Sequence, residues 1–504
     1  MKIRNNLVIL AIASILLIPV FFSMLSLSSS SLIERKVQVW NSTELTYPYL
    51  VDMSSDGKYM VAGDTSNAVV CLLGENGSKL WKFAISQPLN LPTLSWVCIS
   101  DDGNYVAFGG YYLIAAVYKG FVFVRDRIGP VWSKTDFADS SWIDVGAISG
   151  NGSRIVIGYY NGTAYRLDAF DNAGIFKWAY DLPSTVRSVS VSSNGDYVTV
   201  GYSGGIALLY NGALAWEDNT WSGEDLQPVR ISADGKYVIA LRYYAHVILY
   251  YNQTGTLLWS QLIDQNIWGY DYGVAISFNG QYAAAGGNST IYFFDKTGLQ
   301  WSYNTGIQEI NSVEISGDGY FIVASSYWGQ KLFHLNKFGT LIWEITFENY
   351  AGKVAFSFDG EYFATTDTGS SHIYRYFAKK YFSYRFVTPD TEAINNLEVK
   401  WYFANGTLCA SFLTTGTGWI EFFDPYFLQY TTDIYYWQTK VGSYVLVTTT
   451  HYESVQDQVA CLFDWNIYIY DAGGAPISAR VETYLWNDTL YDNRTADTIR
   501  LENM

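Results

Sequence analysis

The string "SSDGKYMVAG", Ser54 to Gly63, sets hydroxyls, a carboxylate and a glycine side by side, a grouping that can cradle a phosphate, ligate a metal ion or turn a chain. Close copies follow as "SDDGNYVAFG" from Ser100, "SGNGSRIVIG" from Ser149, "SSNGDYVTVG" from Ser192 and "SADGKYVIAL" from Ser232. "SFNGQYAAAG" from Ser277, "SGDGYFIVAS" from Ser316 and "SFDGEYFATT" from Ser357 complete the set. A residue set used eight times is punctuation rather than a catalytic centre. Asp-Gly or Asn-Gly between two apolar runs is the strongest short-range hairpin signal, and a leading Ser can hydrogen-bond the turn backbone.

Other acids, Asp136, Asp139, Glu224, Asp225, Asp264 and Asp271, lie between apolar runs. Two carboxyls about 5 to 9 Å apart across a sugar would suit glycosidic bond cleavage, so these six are the residues an enzyme would use. Spacing alone pairs none of them, and no catalytic residue is assigned. The four histidines, at 246, 334, 372 and 451, are scattered, and no Cys-x-x-Cys pair or calcium loop is present, so neither a metal nor a cofactor is expected. Cys71, Cys98, Cys409 and Cys461 could form two disulfides in an oxidising compartment or be four small buried residues. The net charge of −16 argues against nucleic acid as a partner.

The elements that carry these residues follow from periodicity. The turn glycines fall at 57, 103, 152, 195, 235, 280, 319 and 360, a spacing of 39 to 49 residues that marks four-stranded propeller blades. Aromatic residues make up 18% of the 504, with 43 glycines, which favours short strands and tight turns. Each unit ends in a strand with Trp: Trp81, Trp132, Trp178, Trp216, Trp259, Trp301 and Trp343. The eighth unit lacks one, whereas "RKVQVW", ending at Trp40, stands before the first. The chain is therefore expected to be all-β, an eight-bladed β-propeller over residues 36–378 closed by its N-terminal strand, because closure removes an open sheet edge.

"YNQTGTLLWSQ" at Tyr251, "FDKTGLQWSY" at Phe294 and "LGENGSKLWKF" at Leu73 resemble the Asp-x-x-Thr-Gly-x-x-x-Trp docking repeat of PQQ-like, quinoprotein-type propellers, whose blades are also WD40-like. The resemblance covers about two thirds of the chain and implies the fold. The family's dehydrogenases hold a quinone over adjacent half-cystines beside Ca²⁺. This sequence has no Cys-Cys pair, so the resemblance carries no redox role.

Residues 1–31 place Lys2 and Arg4 before an apolar run from Leu7 to Leu27, long enough to cross about 30 Å of hydrocarbon. An uncleaved transmembrane anchor with the body outside the cell is favoured by that length. A cleaved signal peptide ending near Ser28 to Ser31, which would make the protein secreted, is the competing reading. Nine Asn-x-Ser/Thr sequons, at Asn41, Asn76, Asn151, Asn161, Asn252, Asn288, Asn405, Asn487 and Asn493, agree with an exported glycoprotein.

Blade geometry divides the connections between two faces. The Ser-x-Asp-Gly and Thr-Gly turns share one, and the longer loops share the other. The longer loops are expected to hold Tyr111, Tyr112, Tyr159, Tyr160, Tyr202, Tyr243, Tyr244, Tyr327 and Trp328. Connections between blades add Trp96, Trp142, Trp221, Trp268, Tyr270 and Tyr272. Tyr and Trp give broad contact at small entropic cost, so this face is the expected binding surface for a surface glycan or a protein ligand. The competing reading is that these rings cover the blade ends.

From about Lys379 the repeat stops. The alternation in "LEVKWYFANGTLCASFLTTGTGW" reads as a β-sandwich over 379–464, followed by a partial second module over 465–504. Both resemble carboxypeptidase-regulatory-like or Cna-B-like modules of surface proteins, which implies a spacer or adhesion role.

Overall fold

The computed structural model describes residues 38–378, apart from 86–91, 116, 139–140, 265–272 and 308, and, beyond them, the strands named below. The chain divides into two compact units, Lys36–Lys380 and a second that includes Tyr381–Met504. Among the described residues no helix is long and apolar enough to cross a membrane. Residues 1–31, where an anchor or signal helix is expected, lie outside those described.

Local chemistry builds the hairpin at the head of each repeat. Ser54 Oγ accepts the N–H of Tyr59 (3.0 Å) and donates to Asp56 Oδ1 (2.8 Å), which also accepts the N–H of Lys58 (3.0 Å). Gly57, at φ +67°, completes the turn by donating its N–H to the Ser54 carbonyl (2.9 Å). The Ser54 and Asp56 side chains thus satisfy the backbone of their own turn, as expected of a turn, and leave Ser55 to bond outside it.

Each of these hairpins forms the inner pair of strands in a four-stranded antiparallel sheet, eight in all. In the first blade they are β2 (Pro48–Met53), β3 (Met60–Asp64), β4 (Val69–Leu73) and β5 (Lys79–Ala84). The innermost strands of the next six are Thr93–Ile99, Val145–Ile148, Val186–Val191, Leu226–Ile231, Val274–Ile276 and Ser312–Ile315. The eighth blade takes Ala351–Phe356, Tyr362–Asp367 and His372–Phe377 from the end of the repeat region, and its outer strand is β1 (Gln38–Ser42), paired antiparallel to His372–Phe377. The N-terminal strand thus closes the ring, as the unpaired Trp40 implied.

Three sets of contacts hold neighbouring blades. In the first, each turn glycine lies under a side chain of the preceding blade: a Cβ on Gly57 would sit 2.7 Å from Tyr362 Cδ2, and one on Gly103 would sit 2.3 Å from Tyr59 Cδ2. Gly235 with Tyr197, Gly280 with Tyr237, and Gly319 with Tyr282 repeat the arrangement. In the second, the outer-strand Trp covers the next blade's outer turn. Trp40, Trp81, Trp216 and Trp301 donate Nε1–H to the carbonyls of Glu75, Asp126, Gln253 and Lys337 at 2.8 to 3.0 Å. In the third, backbone bonds run from blade to blade around the collar of turns, from Ser55 N–H to Asp101 O (2.8 Å) through to Phe358 N–H and Ser55 O (2.8 Å), which shuts the circle.

Buried aliphatic and aromatic side chains fill the space between successive sheets, as where Val61, Leu72 and Trp81 of the first blade meet Phe108 and Phe121 of the second. At the seam, Leu45, Val51, Met53 and Cys71 meet Ala355, Ala364 and Ile373.

In the second unit, Leu397–Phe403, Leu408–Leu413, Gln429–Tyr436 and Thr439–Val447 form one antiparallel sheet, with Leu408–Leu413 at one edge and Thr439–Val447 at the other. Lys380–Val387 lies between Trp419–Asp424 and a parallel partner, Val455–Val459. Trp465–Tyr468 pairs with Thr498–Leu501, and Ala479–Tyr484 with Leu490–Ala496.

Candidate binding face

Among the described residues, three aromatic groups stand on the loop face of the propeller. The largest lies where blades seven, eight and one meet. Tyr327, at the turn after Phe321–Ser326, stacks on Tyr350 from the connection into blade eight, with centroids 4.6 Å apart and planes within 7°. Trp328 stands edge-on to both rings, at 5.2 and 5.3 Å, and is 63% exposed. Tyr49, on β2, meets Tyr327 edge-on at 5.8 Å, and the Lys353 ammonium lies 5.7 Å from the Tyr49 ring. Backbone bonds fix the platform: Tyr327 N–H donates to Asn311 Oδ1 (2.8 Å), and Thr368 N–H donates to the Tyr350 carbonyl (2.9 Å). Burial raises the Tyr327 hydroxyl above its ordinary range, so it stays a neutral donor at physiological pH.

The second group is Tyr111, Tyr118 and Trp142, joined edge-to-face at 5.5 and 5.4 Å. The third is Tyr243 with the exposed Tyr244, edge-on at 5.1 Å, near Arg242, whose guanidinium lies 4.3 Å over the Trp221 ring.

Not all the expected rings reach the face. The second strands run further than their apolar cores suggest: Tyr105–Ile114 contains Tyr111 and Tyr112, and Ile155–Tyr160 contains Tyr159 and Tyr160. Strand alternation then turns Tyr112, Tyr159 and Tyr202 inward, where each is less than a tenth exposed. Tyr112 stacks on Phe121, Tyr159 donates to Asp168 (2.7 Å), and Tyr202 donates to Glu217 (2.6 Å). Tyr160 is half-buried and donates to the Gly162 carbonyl (3.0 Å). Trp96 lies within Thr93–Ile99, its indole wedged against Gly109 and Gly146. Trp268, Tyr270 and Tyr272 fall outside the described residues. Tyr49, Tyr118 and Tyr350 were not anticipated. Tyr350 enters through an inter-blade connection, the same kind of position that drew attention to Trp142 and Trp221, whereas Tyr49 stands near the start of β2.

Among the described residues, the four acids considered for hydrolysis are held by intramolecular bonds. Asp136 pairs with Lys134 (2.7 Å), Glu224 with Arg242 (3.4 Å) and Asp225 with Arg187 (3.1 Å). Asp264 accepts from the Asn288 and Ser289 backbone and the Thr290 and Tyr292 hydroxyls. Asp139 and Asp271 are not among the described residues. Cys71 and Cys98 are free thiols, with Cys71 buried at the seam and Cys98 in the innermost strand of blade two. Nothing is described of the side chains of Cys409 and Cys461. Of the sequon residues, Asn41, Asn76 and Asn151 are exposed and Asn161, Asn252 and Asn288 half-buried, while the side chains of Asn405, Asn487 and Asn493 are not described.

Fold and face together define an eight-bladed β-propeller with an aromatic loop surface, a scaffold suited to binding. The fold is similar to that of Chaetomium thermophilum Sqt1, solved bound to the N-terminus of ribosomal protein L10 (13% identity, TM-score 0.52, covering 68% of this chain and 99% of that one). BamB from Moraxella catarrhalis (14%, TM-score 0.49, 68% and 99%) and the β-propeller domain of Myceliophteria thermophila Cps50 (Swd1) (13%, 0.45, 66% and 96%) also match. No protein-family model matches the chain, and no curated protein is similar to it in sequence.

Proposed function

We propose that the protein is an exported binding propeller. It is tethered through Leu7 to Leu27, or released if that segment is cleaved, and it presents its loop face to a surface glycan or a protein ligand. The observation that carries this reading is the platform of Tyr327, Tyr350 and Trp328, a stacked group with one ring largely in solvent. Exposed, preorganised aromatics bind at small entropic cost, and flat rings suit the C–H faces of sugars as well as protein anchors. Sequons agree with export, and the strands beyond Lys380 suit a β-sandwich spacer between the propeller and its surroundings. An extracellular enzyme, quinone-dependent or glycan-cleaving, is the second reading. The intramolecular ion pairs of Asp136, Glu224 and Asp225 weigh against the glycan-cleaving form.

A glycan array and a pull-down with the exported body test the proposal. Wild type should retain a ligand that Trp328→Ala and Tyr350→Ala lose, with unfolding curves unchanged for Trp328→Ala. Equal retention by wild type and both variants would overturn the assignment of the face. N-terminal sequencing of the mature protein tests the tether, since a start near Leu32 would show cleavage.

A further inference from the structure

The innermost strands surround a central cavity of about 480 Å³. That is within the range of small-molecule sites, roughly 300 to 1,000 Å³. Its wall carries Asp52, Asp144 and Glu314 together with Arg187, Arg230 and Lys353. Asp52, Arg230 and Glu314 each stand two residues ahead of their blade's turn serine, the same register position in blades one, five and seven.

Several of these charges already have partners. Asp52 accepts the backbone N–H groups of Met53 and Ile99, both at 2.9 Å. Arg187 pairs with Asp225 (3.1 Å), and Lys353 lies beside Tyr49 and reaches the Asn311 carbonyl at 3.4 Å. Glu314 and Arg230 are differently placed. Glu314 has the backbone N–H of adjacent Ile315, while Arg230 and Lys353 act on it through charge alone. Arg230 donates to its own neighbour, the Val229 carbonyl, at 3.1 Å. A carboxyl and a guanidinium thus face one lumen without a direct bond between them, and each retains hydrogen-bonding capacity.

A ligand that satisfies both must offer N–H donors to the carboxylate and an anionic acceptor to the guanidinium. A simple cation would be repelled by Arg230 and Lys353, and a simple anion by Asp52 and Glu314. We propose that the lumen is a second ligand site, distinct from the aromatic face, and that it takes a small zwitterion of the amino-acid type, its ammonium on Glu314 and its carboxylate on Arg230. Burial raises the Glu314 carboxyl to about 7, so an arriving ammonium should displace a proton from it.

Titration calorimetry and thermal shift on the exported body test this with glycine, L-serine, glycine betaine, methylammonium and acetate. Glycine or L-serine should bind and raise the midpoint. Betaine, which has no N–H donor, and the two half-molecules should bind at least about tenfold more weakly. At pH 7 the binding heat should vary with buffer ionisation enthalpy, reporting proton release. Glu314→Gln and Arg230→Gln should each weaken binding roughly tenfold or more, with partial recovery in Arg230→Lys. Absence of binding by both amino acids, equal binding of betaine, or unchanged affinity in both glutamine variants would overturn the proposal. The probe comparison uses wild type alone, so it decides the matter even if a variant does not fold.

Discussion

The joint between blades eight and one offers a sharp test of how the repeat holds the ring. Gly57 sits at φ +67°, and a Cβ there would meet Tyr362 Cδ2 at 2.7 Å. The ring has nowhere to retreat, because the buried Arg375 guanidinium lies 3.7 Å over it. Gly57→Ala therefore combines a left-handed backbone cost of roughly 1–2 kcal/mol with an overpacking cost of about 1–3 kcal/mol. Gly306→Ala is the control: its φ is +70°, and nothing lies within 4 Å of the added methyl. It should show the backbone cost alone, so the two variants should differ by about 1–3 kcal/mol. Urea unfolding followed by Trp fluorescence measures this, with unchanged slopes required for the comparison. Tyr362→Ala should relieve part of the Gly57→Ala penalty, leaving the double variant more stable than the sum of single losses. Equal losses at Gly57 and Gly306, or strict additivity with Tyr362→Ala, would refute the glycine–tyrosine joint.

Other outcomes follow from the site chemistry. Asp52 and Glu314 are raised to about 6 and about 7 from ordinary values of 3.8 and 4.5, chiefly by burial, so the folded chain keeps protons that the unfolded chain releases. That stabilisation is full below about pH 4 and is lost as pH rises through 6 to 7. Glu314→Gln should consequently be more stable than wild type by roughly 1–3 kcal/mol at pH 8 and no more stable at pH 4, read from urea midpoints. Burial pushes the Cys71 thiol up to about 12, so iodoacetamide at pH 8 should leave it unmodified until denaturant is added. A Cys71–Cys98 linked peptide in the mass map would contradict the free thiols. Trp40→Ala should lower stability by roughly 2–3 kcal/mol through lost packing and its bond to the Glu75 carbonyl, and limited proteolysis should then cut first near β1.

Much of the architecture is local and therefore legible in the chain. The Ser and Asp side chains of the Ser-x-Asp-Gly string bond the backbone of their own turn, so its eight copies count the blades, and the displaced Trp40 announces how the circle closes. Hairpin chemistry acts over a few residues, and sequence displays it directly. The face was harder to read. Tyr159 and Tyr160 are adjacent and identical, yet one is buried against Asp168 and the other is half-buried on the Gly162 carbonyl, because both fall within one strand, whose successive side chains point to opposite faces. Tyr350 joins Tyr327 when blade eight packs on blade seven, and Tyr49 joins it only when the first and last blades meet. Glu314 and Arg230 likewise share a lumen across 84 residues of sequence. The glycine in "SSDGKYMVAG" carries the same lesson: the turn it makes is fixed by neighbours in sequence, but the ring it accommodates, Tyr362, arrives from the far end of the propeller. Turn type and repeat number depend on short-range sterics and hydrogen bonds. Exposure, joints and pockets depend on which side chains distant segments bring together.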